Sequence, residues 1–341
     1  MFRLIALLVV FSLCGVAAND LVREVTSEAT RADHQLVPAF YRGYFYWIGL
    51  AGPANQLTIY APDGHLAFNF QTEIGTVESV AIDTDGTIAV AWKSEQGGGF
   101  DLRDRSGALT KTIQTGRYIP AHVSFAEDHS LWSLGVQLDA AESERPDHDY
   151  MAVRRYRPDG RETGAYLPRS LFPPGLEPEM GGWQRSRSIA VAHDRVGLWV
   201  YSAKNATEWV ELDLNGNLLG RWPLDPFYRN TRMALTTDGH VFVQHFDPEA
   251  ETYRIHTLSR DSSTWQLVEG APNGWLEGAD GDTLVFSDFG LGLMHVRWYQ
   301  PSTWQLVEGA PNGWLEGADG DALVFSDFGL GLMHVRWYQH P

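Results

Sequence analysis

Six residues combine a chemically useful side chain with a position near the start of an alternating apolar run. They are Glu78, Tyr118, His122, Trp183, Arg187 and Arg232. An arginine guanidinium presents a planar fork of donors that suits a carboxylate, sulfate or phosphate group. Tryptophan and tyrosine present flat faces to a sugar ring or a cation. These residue types therefore predict a site that binds an anionic ligand.

A structural interpretation of the same residues stays open. The arginines can pair with acids such as Glu78, Glu177 and Glu179, and the tryptophans can pack between layers of the fold. Replacement of Arg187 and Arg232 by alanine separates the two interpretations. Only the binding site predicts loss of an anionic ligand without a large change in melting temperature.

Catalytic motifs give little support to an enzyme. The 12 histidines form no H-E-x-x-H pattern, and no G-x-S-x-G marks a serine nucleophile. We therefore assign no catalytic residue and expect a binding or scaffolding protein for a protein, peptide or anionic glycan. The alternative is a hydrolase, lactonase or lyase that acts on a sugar-derived substrate, with Glu78 and His122 as acid and base.

Short acidic segments resemble metal loops only in composition. The stretches "DTDG" at 83–86 and "DGD" at 280–282 lack the spaced ligands of a calcium loop, and Asp-Gly is typical of a hairpin turn. We predict a solvated acidic loop at 146–150 ("PDHDY") and a loop, not a phosphate cradle, at 97–99 ("GGG"). No metal site and no cofactor are expected.

The elements that must position these side chains are β-hairpins. One kind has alternating apolar runs around a turn rich in Asp, Asn and Gly, from "LTIYAPDGHLAFNF" at 57–70 to "HVRWYQPSTWQLV" at 295–307. A second kind lies between successive members of the first, as in "ESVAIDTDGTIAVAW" at 78–92. A period of two residues around such turns predicts antiparallel strands.

Turn markers of the second kind of hairpin recur about every 40 residues, which is a period typical of repeat folds. We assign them to Gly86, His129, Gly197, Gly239, Gly281 and Gly320. The one long interval contains two insertions, at 136–149 and 167–186. Two hairpins in each period form a four-stranded sheet, which is the blade of a β-propeller.

The Asp-Gly hairpins between about residue 40 and residue 339 resemble those of six-bladed β-propellers from exported bacterial proteins, the group with NHL-like and TolB-like repeats. The resemblance implies an all-β fold and transfers no catalytic residue. Because the first strand of each blade lines the channel of a propeller, the six residues above would meet at one mouth. Trp275 and Trp314 occupy the corresponding places in the last repeats.

The end of the chain contains one repeat twice. Residues 263–300 recur at 302–339, and the copies differ only where Thr283 is replaced by Ala322. The sequence thus predicts six blades plus a duplicated seventh repeat. Either the ring expands to seven blades, which we favour, or six blades close and one copy lies outside. The segment "LVREVTSEA" at 21–29 is the expected closing strand.

The N-terminus is typical of a secretory signal peptide. Arg3 precedes an apolar run from Leu4 to Val16, and small residues follow up to Ala18. This run is shorter than the roughly 20 residues of a membrane-spanning helix. We expect removal of residues 1–18, a single propeller domain at 19–341, a periplasmic or extracellular location, and no transmembrane segment after cleavage.

Composition restricts the partners. A formal net charge of −17 disfavours nucleic acid and anionic membranes. The only cysteine, Cys14, lies in the signal peptide, so no disulfide is expected. With 44% hydrophobic residues the chain can form an ordinary core. We expect a monomer whose partner is a protein or an anionic glycan.

Overall fold

The structure is a computed structural model of the chain. It describes residues 21–27, 39–41, 44–49, 56–60, 66–71, 75–137, 149–172, 189–202, 206–224, 232–247, 252–268, 271, 274–280, 282–290, 293–299, 314–319, 322–329 and 332–339. Within these ranges, no helix has the length and apolar character needed to cross a membrane. The predicted signal peptide, residues 1–18, lies outside them.

The N-terminal half of the described chain forms three antiparallel four-stranded sheets, preceded by the separate strand β1 (Leu21–Ser27). Sheet I contains β2 (Ala39–Tyr41), β3 (Tyr44–Gly49), β4 (Gln56–Tyr60) and β5 (Leu66–Gln71). Sheet II contains β6 (Thr76–Ile82), β7 (Ile88–Ser94), β8 (Gly97–Arg103) and β9 (Leu109–Gly116). Sheet III contains β10 (Tyr118–Phe125), β11 (Leu131–Gln137), β12 (Met151–Tyr156) and β13 (Glu162–Pro168), followed by a short 3-10 helix, Arg169–Leu171.

The C-terminal half continues the same pattern. Sheet IV contains β14 (Ile189–Val191), β15 (Arg195–Ser202), β16 (Ala206–Asp213) and β17 (Leu218–Leu224). Sheet V contains β18 (Arg232–Leu235), β19 (Val241–Asp247), β20 (Thr252–Ser259) and β21 (Thr264–Leu267). Sheet VI contains β22 (Trp275–Asp280), β23 (Thr283–Gly290) and β24 (Leu293–Tyr299) with β1 as its fourth strand. Sheet VII contains only β25 (Trp314–Asp319), β26 (Ala322–Gly329) and β27 (Leu332–Gln339) among the described strands.

Tight turns join the first and second strands, as the Asp-Gly pattern predicts. The Gly86 N–H donates to the Asp83 carbonyl, and the Gly239 N–H donates to the Thr236 carbonyl, each over 2.9 Å. Gly86 and Gly239 both have a φ of 88°, and His129 takes the same left-handed conformation at 63°. Glycine adopts this conformation without steric cost, which explains its recurrence in these turns.

The turn marker assigned to Gly197 is wrong. Gly197 lies inside β15, opposite Glu211 of β16, and the turn of this hairpin is at 192–195, where the Ala192 N–H donates to the Arg195 carbonyl. A Cβ at Gly197 would lie 2.0 Å from the Trp209 ring. Glycine at this position gives the indole ring the room that it needs, because a residue without a Cβ permits close approach.

The glycine run at 97–99 is also not a loop. These residues begin β8, and they pair with the end of β7. A Cβ at Gly99 would lie 2.3 Å from the Trp92 ring, and one at Gly98 would lie 2.6 Å from the Tyr118 carbonyl oxygen. The run therefore lets sheets II and III approach closely, a role that glycine in a strand often has.

The sheets are arranged as a β-propeller with four-stranded blades. First strands contact one another in the order β2, β6, β10, β14, β18, β22, and β22 in turn contacts β2. The apolar core lies between successive sheets: Phe100 and Val123 share one cluster, and Trp132 and Val196 share the next. Sheet III thus buries both of its faces against its neighbours.

The N-terminal segment pairs as the expected closing strand. β1 runs antiparallel to β24, with Glu24 opposite Arg297 and Val25 opposite Val296. β1 therefore pairs with the side of β24 on which the sequence predicts a hairpin with residues 303–306. That predicted second strand lies outside the described residues, as do most residues of the two insertions.

Candidate functional site

Four of the six predicted site residues are described, and all four are on first strands. Glu78 lies in β6, Tyr118 and His122 lie in β10, and Arg232 begins β18. Trp183 and Arg187 lie outside the described residues. Sheets II and III are neighbours, whereas sheet V contacts sheets IV and VI. The structure therefore does not bring Arg232 together with Glu78, Tyr118 and His122.

Glu78 is buried and forms an ion pair. Its carboxylate Oε1 lies 2.6 Å from Lys93 Nζ on β7, and its side chain is 4% exposed. The β6–β7 register shifts between Val77 and Ser79, so Glu78 occupies a β-bulge. Bulges re-aim side chains and are frequent beside functional sites. Lys93, which is 37% exposed, compensates the buried charge.

Tyr118 is fully buried inside sheet III. Its hydroxyl lies 3.0 Å from Ser133 Oγ and from the Ala152 carbonyl oxygen, on strands β11 and β12. The Arg154 guanidinium lies over its ring at 4.2 Å. Burial raises the pKa of the Tyr118 hydroxyl well above its ordinary value. This side chain therefore organises the sheet, and its hydroxyl already has partners within the protein.

His122 directly follows the bulge of β10 and is buried, with the register shift lying between Pro120 and His122. Ser79 has the corresponding place after the bulge of β6. The Ser79 hydroxyl is fully buried and has no hydrogen-bond partner among the described residues, which costs about 1–3 kcal/mol. Sequence reasoning missed Ser79, because its alignment with His122 depends on the two bulges.

Arg232 lies against the Trp275 ring, and the two residues begin the first strands of neighbouring sheets. Its guanidinium carbon is 4.7 Å from the centroid of the Trp275 ring, which begins β22. The Tyr253 ring is also 4.7 Å from the Trp275 ring, at an interplanar angle of 54°. All three side chains are partly exposed. One cation and two aromatic faces thus meet where sheets V and VI begin.

Gln244 fixes the backbone on both sides of Trp275. Its amide Nε2 donates to the Gly274 carbonyl over 2.7 Å, and its Oε1 accepts from the Leu276 N–H over 2.9 Å. Gln244 is 2% exposed and lies opposite Arg232 in the β18–β19 register. Buried hydrogen bonds of this kind hold a side chain in place before a ligand arrives. We define Arg232, Gln244, Tyr253 and Trp275 as the mouth cluster.

A pair of histidines lies on the opposite face of sheet V. The rings of His245 and His256 stack at 4.7 Å with an interplanar angle of 14°. Burial, together with the positive charges of His256 and Arg254 and against the effect of Asp247, lowers the pKa of His245 to about 4. Burial also lowers the pKa of His256. Both imidazoles are therefore neutral near pH 7, which suits packing.

The acidic turn at 83–86 is a structural link between blades. Asp83 accepts from the Thr84 N–H at 2.6 Å, and its other oxygen lies 2.8 Å from Nδ1 of His129 in the next sheet. Asp83, Asp85 and His129 are the one group of three metal-ligating side chains found in the described part of the chain. Hydrogen bonding to Asp83 raises the pKa of His129, and the imidazole is a partner of the buried carboxylate.

The predicted acidic loop at 146–150 is only partly described. Asp147 and His148 lie outside the described residues. Asp149 accepts from the Ser170 N–H over 2.9 Å and from the Ser170 hydroxyl over 2.8 Å, so it anchors the short helix after β13. Asp149 therefore has a structural role that local sequence could not reveal.

Comparison with solved structures supports the fold. Hydrazine synthase from Kuenenia stuttgartiensis aligns with a TM-score of 0.50 at 10% identity, over 92% of this chain and 98% of that one. A protein of unknown function from Bacteroides caccae aligns with a TM-score of 0.47 at 14% identity, over 74% and 89%. The WD40 domain of Neurospora crassa Pan2 aligns with a TM-score of 0.44 at 13% identity, over 77% and 75%.

Sequence comparison adds no family. No protein-family model matches the chain, and no curated protein matches it. At 10% identity, similarity to a solved structure shows the fold alone. The predicted resemblance to NHL-like and TolB-like propellers therefore stays a prediction.

Proposed function

We propose that the chain is an exported β-propeller binding protein, whose mouth cluster binds a carboxylate-bearing sugar of an anionic glycan. The observation that carries this proposal is the contact of Arg232 with Trp275, with Tyr253 on the same indole. Stacking engages the face of a guanidinium, and its N–H donors point outwards in its plane. A carboxylate can approach that edge while the neighbouring aromatic rings contact the sugar.

The aromatic component favours a glycan over an acidic peptide. A carboxylate alone needs only the arginine, whereas two aromatic rings beside it offer flat apolar area that suits a sugar ring. Gln244 supports this arrangement, because it holds the backbone of Trp275 from both sides. A preorganised site loses less conformational entropy when its ligand binds.

The net charge of the protein limits where an anion can bind. With a formal net charge of −17, the molecule repels anions at long range. An anion that binds must therefore gain short-range contacts at a local cation. Arg232 is such a cation, partly exposed and beside an aromatic surface.

The proposal includes a ring of six blades, sheets I to VI, closed by β1. Its support is the direct contact of β22 with β2 and the pairing of β1 with β24. In this arrangement the second copy of the terminal repeat, sheet VII, lies outside the ring. The seven-bladed ring favoured on sequence grounds would instead need sheet VII between sheets VI and I.

The test is binding of oligogalacturonate, measured by titration calorimetry. Arg232→Ala should weaken binding by about 10- to 100-fold, because a hydrogen bond to a charged group contributes about 1.5–3 kcal/mol. The melting temperature should change by no more than a few degrees, since the side chain is partly exposed.

Arg161→Ala is the matched control, because Arg161 is exposed in the turn between β12 and β13 and its loss changes the net charge equally. If both variants weaken binding by the same factor, the effect is general electrostatics and the site is wrong. If the Tyr253→Ala variant binds an aspartate-rich peptide as tightly as the unchanged protein does, the result favours a peptide ligand instead.

A further inference from the structure

Three imidazole–carboxylate pairs involve the turns that join first and second strands. The Nδ1 atoms lie 2.8 Å from the carboxylate in His129–Asp83, 2.9 Å in His193–Glu127 and 2.8 Å in His240–Asp238. These turns follow the first strands of sheets II to V, whereas Arg232 and Trp275 begin first strands. The pairs and the mouth cluster therefore lie at opposite ends of the blades.

One of the three pairs has a second carboxylate within reach. The ligating atoms of Asp83, Asp85 and His129 all lie within 4.8 Å of one another, and the described part of the chain contains no other such group of three. The two aspartates lie in the turn after β6, and His129 lies in the turn after β10, 46 residues beyond Asp83. The stretch 83–86 taken alone therefore predicts no metal site, because its third ligand comes from the next sheet.

Backbone N–H groups already hold both carboxylates. Oδ1 of Asp83 accepts from the Thr84 N–H over 2.6 Å, and its Oδ2 faces His129. Oδ1 of Asp85 accepts from the Thr87 N–H over 2.8 Å. Hydrogen bonds of this kind orient the carboxylates that ligate metals. The side chain of Asp83 is 3% exposed and that of His129 is 49% exposed, so the cluster has a buried floor and an open side.

His129 has a backbone conformation that glycine adopts more easily. Its φ is 63°, and its N–H donates to the Ala126 carbonyl. Gly86 and Gly239 make the same hydrogen bond at the corresponding places of their turns. A residue with a side chain is uncommon at such a place, and an observed strained residue motivates a functional hypothesis. The chain thus has an imidazole where glycine would fit the turn better.

We propose that Asp83, Asp85 and His129 bind a divalent transition-metal ion, Zn²⁺, which links sheets II and III. Imidazole nitrogen and carboxylate oxygen are both zinc ligands, and three protein ligands leave a fourth position for water. The imidazole distinguishes this cluster from a group of acids alone, because Ca²⁺ and Mg²⁺ prefer oxygen ligands. The formal net charge of −17 also attracts cations at long range.

The ion would replace the hydrogen bond between His129 and Asp83. Zinc–ligand bonds of about 2.0–2.2 Å place tetrahedral ligands about 3.4 Å apart, so Nδ1 and Oδ2 must separate by about 0.6 Å from their present 2.8 Å. Arg105 opposes binding, since its Nε donates to the Asp85 carbonyl over 2.8 Å and brings a positive charge to this turn. The three ligands together must outweigh that charge.

The experiment is titration calorimetry of the full chain with Zn²⁺. His129→Gly should remove one bound Zn²⁺ per chain or weaken its binding at least about tenfold, because loss of even an outer-shell partner costs a metal site 10- to 100-fold. Glycine suits the backbone of this turn, so the variant should fold. His193→Ala and His240→Ala are the matched controls. Both histidines are exposed and pair with one carboxylate, and neither belongs to a group of three in the described residues.

A second variant tests the carboxylate ligands. Asp85→Asn should weaken binding of Zn²⁺ severalfold, whereas the exposed position of Asp85 makes a folding defect unexpected. Zn²⁺ should raise the melting temperature of the unchanged protein, because a ligand of the native state stabilises it. The rise should be smaller for His129→Gly and unchanged for the two control variants. Titration with Ca²⁺ should not distinguish His129→Gly from the unchanged protein.

Three results would overturn the proposal. Failure of the full chain to bind Zn²⁺ would exclude the site. Binding of the same number of ions with the same affinity by His129→Gly would place the metal elsewhere. Equal losses in His129→Gly, His193→Ala and His240→Ala would show general binding to exposed histidines. None of these results depends on Arg232, so they leave the mouth cluster untouched.

Discussion

An arginine and a tryptophan lie close together at each of the two faces of sheet V, and the two places differ in burial and in the partner of the arginine. On the side facing sheet IV, the Glu211 carboxylate is 1% exposed and accepts from Trp209 Nε1 at 2.7 Å and from Arg195 at 3.0 Å. Arg260, from the turn between β20 and β21, contacts the same carboxylate at 2.5 Å. On the side facing sheet VI, Arg232 stacks on Trp275 and both are partly exposed.

The difference shows how one set of residues can serve stability or binding. At Glu211 the protein supplies its own anion, buried and held by two guanidinium groups and an indole N–H. At the mouth cluster, the arginine and the indole are partly exposed, and the proposed function assigns them an external anion. The internal site thus demonstrates that this fold can hold a carboxylate between arginine and tryptophan.

Glu211→Ala should have the largest effect on stability. Removal of the carboxylate leaves Arg195 and Arg260 partly buried without their shared counterion, which costs about 3–5 kcal/mol. The free energy of unfolding in urea measures the loss. Glu162→Ala is the control, because Glu162 pairs with Arg154 on the surface and should cost less than about 1 kcal/mol. Equal losses would remove the contrast between the two sides.

The histidine pair makes the side facing sheet IV sensitive to acid. The pKa of His245 is lowered from 6.5 to about 4 in the folded protein, so the unfolded chain binds more protons between these values. Stability should therefore fall as the pH decreases from 6.5 to 4, by roughly 1–3 kcal/mol from this residue. His245→Phe should reduce that slope in urea unfolding at several pH values. An unchanged slope would contradict the assignment.

Gln244→Ala should have the smallest effect on stability of these variants, and it should also weaken binding. Loss of its two hydrogen bonds costs about 1–2 kcal/mol, and it also releases the backbone around Trp275. Affinity for oligogalacturonate should fall about threefold to tenfold. Gln266→Ala, at an exposed position of β21, is the control. Unchanged affinity would show that the mouth cluster does not depend on this support.

The repeated hairpins could be predicted because local sequence determines them. Alternation and Asp-Gly turns depend on neighbouring residues, and Gly86 and Gly239 have the positive φ that such turns need. The predictions for Gly197 and for the run at 97–99 were wrong. Glycine is needed at these positions because rings and backbone from other parts of the chain come close to them. A glycine in a sequence does not show whether it serves a turn or a close approach.

The candidate site was predictable only in part. Arg232 and Trp275 could be found because both begin alternating runs at equivalent places of the repeat. Gln244 and Tyr253 could not, because their roles depend on which face of sheet V meets sheet VI. Tyr118 resembled a mouth residue by position, yet its side chain is buried towards Ser133 and Ala152. Register decides such cases, and a shift of one residue reverses the face.

The pairing of β1 with β24 also determines when the protein can finish folding. β1 leaves the ribosome before every other described strand, and β24 follows only after sheets I to V have been synthesised. Closure is therefore a contact of long sequence separation, formed last and at high entropic cost. We expect early blades to form locally, with β1 unpaired, until the synthesis of β24 supplies its partner.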